Sequence, residues 1–267
     1  MSASNLLSDS AGDIMLAFAA DPGNNRQDVI TYLRLHRGVW SQRELTLATV
    51  PEVYVDLAIN GEHLVVVGYV AANPAVQNHE PSNQLFAIRS LDGGQTWSDP
   101  VPVSRTDQGL AYQPRIVADR TGTVHVVWIG GNGRGLDAGA LLHATSTDGL
   151  HWAGAPSLLV SGLLLESPAA VDQCDVVHVL ALRFENGGGR LVHVQFPPQG
   201  EASSEHLFPG WSGHEIAVMM DRDRLRFVWV GQMDERAQAD TTHSILQVET
   251  LLSDVPIHVT RTTAQHK

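Results

Sequence analysis

Glu166, His214 and Glu215 are the polar residues best placed for chemistry, since each stands immediately before or at the start of a short apolar run. Two carboxylates and an imidazole drawn together from separate segments could act as an acid/base set, and if the bond were glycosidic the carboxylate separation would choose between hydrolytic geometries. Tyr112, Gln113 and Arg115 hold the same place before another run, while Arg134, Arg183 and Trp211 lie in the neighbouring loops. Aromatic rings stack on the apolar face of a sugar, and a guanidinium grips a carboxylate through two parallel hydrogen bonds. The plainer alternative is that the same groups only solvate loop ends. Thirteen His invite a metal reading, yet no H-E-x-x-H or comparable spacing is present, and Cys174 is the single Cys. No metal and no cofactor is therefore expected. His125 and His178 recur at matching positions, as do His143 and His193, which reads as scaffold with imidazoles packed between neighbouring sheets. The runs Gly130 to Gly135 and Asn186 to Arg190 lack the strand-to-helix setting of a phosphate loop and read as crossing loops. Cys174, at a predicted turn, reads as a structural or incidental thiol.

The elements that must carry these residues repeat. Gln113 to Trp128 (QPRIVADRTGTVHVVW) is a short apolar strand, a polar turn and a second apolar strand. The layout recurs at Asn5 to Phe18, Val53 to Val70, Pro168 to Leu182 and Glu215 to Val230. The period of roughly 50 residues is that of propellers and solenoids. A third strand and a shorter fourth follow in each unit, as in Gln84 to Arg89 with Val101 to Val103, and Ala140 to Thr145 with Pro156 to Val160. These runs are rich in Val, Ile and Leu and bounded by Gly, Asn, Asp and Pro, with no competing helical run. The expected fold class is all-β: a β-propeller of about five four-stranded antiparallel blades around a central channel. The expected blades are 1–50, 51–111, 112–165, 166–212 and 213–267 of one domain. Loops leading into the inner strands, and those crossing from second strand to third, would share the face where a ligand binds.

Ser90-Leu91-Asp92-Gly93-Gly94-Gln95-Thr96-Trp97 fits the S-x-D-x-G-x-T-W Asp box at every fixed position: Ser90, Asp92, Gly94, Thr96 and Trp97. Ser146, Asp148 and Trp152 mark a shortened copy without the Thr, and Trp40 is expected at the equivalent place in the first unit. The chain thereby resembles the sialidase-like, BNR-repeat propellers. The resemblance implies a propeller whose Asp boxes are structural turns opposite the ligand face. It does not carry over sialidase activity, because the family's first Arg sits in an R-I-P motif ahead of the first Asp box. Here Arg115-Ile116 is followed by Val117 and comes after the complete box.

Composition narrows the partners. The formal net charge is -12, with 29 Asp plus Glu against 17 Lys plus Arg, so a nucleic-acid backbone would be repelled. No apolar run reaches the roughly 18 residues of a membrane span, and Met1 to Asn5 lacks the basic and apolar regions of a leader. The expectations are no nucleic acid, no membrane and a cytoplasmic location, or a secreted one if a leader was removed. Three functional readings stay open: a propeller binding a glycan or small polar ligand, an enzyme on the same face (glycoside hydrolase-like, or a lyase or cyclase using His and Glu), and a protein-interaction scaffold.

Overall fold

The computed structural model describes residues 2–3, 6–20, 28–48, 54–60, 64–72, 83–105, 110–131, 139–153, 157–164, 167–185, 188–198, 202–207, 211–221, 224–233, 244–251 and 258–263. Among these, every regular element is a strand. The chain divides into two compact units, Met1–Leu158 and Leu159–Lys267.

The described strands up to Ser161 form three sheets built in chain order. In sheet one, β1 (Ser2–Ala3) and β2 (Leu7–Ser8) both pair with β3 (Ile14–Ala20), followed by β4 (Asp28–His36) and β5 (Val39–Ala48). Its inner strand is thus split into two short pieces, where the sequence suggested one run from Asn5. Sheet two is β6 (Val55–Asn60), β7 (Leu64–Ala72), β8 (Asn83–Ser90) and β9 (Val101–Pro102). Sheet three is β10 (Leu110–Ala118), β11 (Val124–Gly131), β12 (Ala140–Ser146) and β13 (Ser157–Ser161). In the second unit, β14 (Leu163–Leu164) and β15 (Ala169–Val171) pair with β16 (Val177–Glu185), then come β17 (Gly188–Phe196) and β18 (Ser203–Leu207). A Gly189–Gly213 pairing joins these to β19 (Trp211–Asp221), β20 (Arg224–Met233), β21 (Ser244–Leu251) and β22 (His258–Thr263). Gly188 to Arg190 are therefore strand residues, which corrects the crossing-loop expectation for that run.

Burial explains the apolar patterns. In β3 exposure alternates, with Met15, Ala17 and Ala19 buried, as one covered face requires. The second strand β11 is buried at every position but its last, so both of its faces are covered, and its run is apolar except at His125, whose ring nitrogens are hydrogen-bonded. Burying each Val or Leu of this kind contributes about 1.5–3 kcal/mol.

The Asp box closes the turn between β8 and β9. Ser90 Oγ accepts the Gly94 N–H (2.7 Å) and donates to Asp92 Oδ1 (2.7 Å). Asp92 in turn accepts the Gln95 and Thr96 N–H groups (both 2.9 Å) and the Thr96 hydroxyl (2.6 Å). These bonds, from Thr96 first and then Ser90 and Gln95, hold its carboxyl well below the usual carboxylate range. Gly94 has φ +91°, and the Trp97 indole N–H donates to its carbonyl (3.1 Å). The shortened copy keeps the chemistry with a substitute: His151 Nδ1 reaches Asp148 Oδ2 (2.6 Å) where Thr96 uses its hydroxyl, and Ser146 Oγ accepts the Gly149 N–H (2.8 Å). Trp97 and Trp152 pack against separate buried clusters. Trp40 does not match them. It lies in β5 directly after a hairpin at Arg37 and Gly38, pairs with Leu35 and is 53% exposed. Without an Asp box the chain turns back in two residues, which leaves no turn to tuck the ring under the sheet.

These turns also join successive sheets. Arg34 Nη1 of β4 donates to the Gly93 carbonyl of the next sheet's Asp box (2.8 Å). Arg89 Nη1 of β8 donates in the same way to the Asp148 carbonyl of the following one (2.7 Å).

The recurring His form relays inside a sheet rather than wedges between sheets. In sheet three, His125 Nε2 reaches Asp119 Oδ2 (3.2 Å) and His125 Nδ1 meets His143 Nε2 (3.1 Å), with the rings stacked 5.3 Å apart. In the second unit, Asp172, His178 and His193 repeat the pattern at 3.2 and 2.9 Å. The register puts the imidazoles on diagonal partners of one ladder, His125 opposite Thr145 and His143 opposite Val127, close enough to bond directly. If each neutral ring donates through Nε2 and accepts at Nδ1, every contact has one proton, so a proton added at Nδ1 of His125 or His178 would break the bond to its partner imidazole. Burial drives the His143 imidazole down to about 3, helped by His125. It lowers His178 too, against the opposing pull of Asp172.

Candidate functional site

Each sheet has two ends. In sheet three, one end carries the Asp119 to Thr123 turn and the box at Ser146, and the other carries the start of β10, where Leu110 pairs with Gly131. Tyr112 and Gln113 lie toward the second end, away from the Asp box. Tyr112 pairs with Ile129 and Arg115 with Val127, so β10 uses one residue more than β11 over that step. The result is a β-bulge, with Gln113 at φ +46°, a left-handed conformation uncommon for a residue with a Cβ. Pro114 follows Gln113, and a proline disfavours the right-handed helical region for the residue before it. Arg115 is placed beyond the bulge, within the strand rather than at its start. It is half-buried and has no ion-pair or hydrogen-bond partner among the described residues.

The same irregularity recurs in the second unit. His214 pairs with Val230 and Ile216 with Trp229, which leaves Glu215 as the extra residue of β19. Between β14 and β15 the register again gains one residue, since Leu164 pairs with Arg183 and Ala169 with Val179. Glu166 falls within that step but lies outside the described residues, as does Arg134. The hairpin acids supply a common ruler: Gln113, Glu166 and Glu215 each stand six residues before Asp119, Asp172 and Asp221. Trp211 opens β19 opposite Met233, and Arg183 lies half-buried in β16 opposite Arg190. Thus the backbone brings Trp211, His214 and Glu215 into the first half of one strand. Arg183 sits on a different strand of the same unit, and Tyr112, Gln113 and Arg115 belong to the other unit.

One buried polar residue was not singled out from the sequence. Asp56 in β6 is 1% exposed, and its Oδ2 accepts the Ile116 N–H (3.0 Å), tying the inner strand of sheet two to the bulged strand β10. A charge-assisted bond of this kind fixes the strand next to Arg115. The available signal was one acid inside the apolar run Val55 to Ile59. Ser167, which follows Glu166, is 1% exposed, and its hydroxyl has no hydrogen-bond partner among the described residues.

No group of three or more His, Cys, Asp or Glu among the described residues could hold a metal ion. Cys174 is exposed, in the turn closed by Asp172, whose Oδ1 accepts its N–H (2.8 Å).

Solved structures carry this arrangement of sheets. The Penicillium chrysogenum α-L-arabinanase complexed with arabinobiose superimposes with a TM-score of 0.56 at 11% identity, over 97% of this chain and 92% of that one. The chain has a β-propeller fold. The Hadza microbial sialidase Hz136 matches at TM-score 0.58 and 15% identity, over 95% of this chain but 59% of that one. A polysaccharide lyase, the PL25 ulvan lyase bound to -[GlcA(1-4)Rha3S]-, gives TM-score 0.58 and 12% identity, over 96% and 63%. No family model and no curated protein matches the sequence.

Proposed function

We propose that this propeller binds a glycan carrying a carboxylate or sulfate, with Arg115 as the group that takes the anion. Arg115 itself carries the reading, as a half-buried guanidinium beside a bulge and without a partner in the protein. A desolvated charge without a counter-charge is costly, and a ligand anion held bidentately would offset that cost. Tyr112 and Gln113 precede it on the same strand and would offer a ring and an amide to sugar hydroxyls. Propeller neighbours described with arabinobiose and with a glucuronate- and sulfate-bearing saccharide support a glycan of this class. Arg115→Ala should weaken binding of uronate oligosaccharides at least about tenfold in calorimetry, the loss expected for one charge-assisted pair. Neutral oligosaccharides should be nearly unaffected. Unchanged affinity in the variant, or no acidic glycan bound by the parent, would overturn the assignment.

One observation favours a catalytic role in the second unit. Glu166 and Glu215 each stand six residues before an acid, Asp172 and Asp221, at corresponding points of successive repeats in the sequence, with His214 next to the second. Such a pair suits acid/base cleavage of a glycosidic bond. Glu166→Gln and Glu215→Gln should each lower turnover of a cleaved polysaccharide by about 10²–10⁴-fold. Full turnover in both variants would leave binding as the whole function.

A further inference from the structure

We propose that a groove on sheet one, remote in sequence from Arg115, is a second ligand site that takes a single acidic sugar unit, with Arg43 binding its carboxylate. The groove has a volume of about 650 Å³, within the usual range for small-ligand sites. One wall is a single face of the β4–β5 ladder, where three successive cross-strand pairs line it: His36 with Val39, Arg34 with Ser41, and Tyr32 with Arg43. The opposite wall is the Asp-box backbone from Gly93 to Gln95. No Asp or Glu is among the described lining residues, although the chain as a whole carries a net charge of -12.

The groups differ in what they have left to give. Arg34 is committed, since its Nε donates to Asp13 Oδ2 (2.8 Å) and its Nη1 to the Gly93 carbonyl. Asp13 therefore balances that charge and fixes the guanidinium as part of the wall. Arg43 is exposed and has no partner among the described residues, so its fork is available for a carboxylate. His36 Nδ1 is engaged by Asp13 (2.7 Å), and in the neutral ring its Nε2 is left to accept from a hydroxyl. Gln95 adds an amide, and Val39, 69% exposed, offers an apolar surface for the sugar's carbon face. One free cation, hydroxyl-seeking groups and an apolar patch suit an acidic monosaccharide better than a bare ion. The backbone floor depends on glycine: a Cβ on Gly93 would meet Arg34 Nη1, and one on Gly94 the Tyr32 ring.

The test is an amide-resolved NMR titration of the whole chain with glucuronate, glucose and sodium sulfate in turn. Glucuronate should shift the signals of Ser41 to Arg43 and Gly93 to Gln95 saturably, and Arg43→Ala should weaken that response at least tenfold. Arg115→Ala should leave it unchanged, so this site can fail or stand independently of the one at Arg115. Glucose should bind much more weakly. Equal affinity for sulfate and glucuronate would reduce the site to an oxyanion contact and overturn the sugar assignment. Absence of saturable shifts at these residues, or their persistence in Arg43→Ala, would overturn the site itself.

Discussion

Gly94→Ala is expected to destabilise the protein by about 3 kcal/mol, a strain of roughly 1 kcal/mol for the left-handed backbone plus an overpacking cost of about 2 kcal/mol. The added methyl would land on the ring of Tyr32, which is 1% exposed and stacked edge-on against Trp97 at 5.1 Å. Burial has already pushed the Tyr32 hydroxyl up to about 12, and the ring has little room to retreat. Gly12→Ala is the matched control, because Gly12 has φ +81° but nothing within 4 Å of the new Cβ. It should show the backbone cost alone. Denaturant unfolding of the two variants would isolate the Asp-box contact as their difference, and equal losses would show that Tyr32 accommodates the methyl freely.

Acid should weaken the fold well above the pH at which carboxylates titrate. His143 stays neutral in the folded chain down to about pH 3, whereas an unfolded imidazole takes up its proton near 6.5. Between those values the unfolded state binds more protons, so stability is fully present above pH 6.5 and declines as pH falls. At pH 5 the loss from this one group is roughly 2 kcal/mol. His178, lowered by burial, acts in the same direction. For Asp119, burial works to raise the carboxyl, but hydrogen bonds from Thr121, His125 and the Thr123 N–H together hold it below the usual range. Its contribution is therefore present above the ordinary carboxylate value near 3.8 and is lost as pH falls further. Melting curves at pH 7.5 and 5 should separate the parent from His143→Gln, whose amide can still donate to His125 but cannot titrate. An unchanged pH slope in that variant would remove His143 as the source.

Strands and Asp box were legible because each has a mark in residue type. Two-sided burial demands apolar runs such as Val65 to Val70, and a turn that folds around a carboxylate demands Ser, Asp and Gly at fixed spacing. The bulges left no such mark, since an extra residue in a strand is defined by its partner's register and not by its own chemistry. Their positions follow from the register of β10 with β11 between Tyr112 and Arg115, and of β19 with β20 at Glu215. Trp40 misled for the converse reason, because its residue type matched while the length of the preceding turn did not. The His relays were visible as matched positions, but only the diagonal register shows that the rings bond within a sheet. Asp56 was hidden by its apolar surroundings, although an acid in such a strand calls for a donor from a neighbour.

The guanidinium bridges have a consequence for how such a chain can change its length. Sheet two accepts from Arg34 through the Gly93 carbonyl and donates from Arg89 to the Asp148 carbonyl, so its two flanks are complementary halves of one joint. A segment with a socket on one side and the matching plug on the other can be copied or excised as a cassette while the flanking segments still fit together. Tandem duplication of the region around residues 54–105 would set Arg89 of one copy beside the Asp-box carbonyls of the next, a donor and an acceptor for the single new junction, whereas a cut through the middle of a sheet would separate Arg89 from its partner.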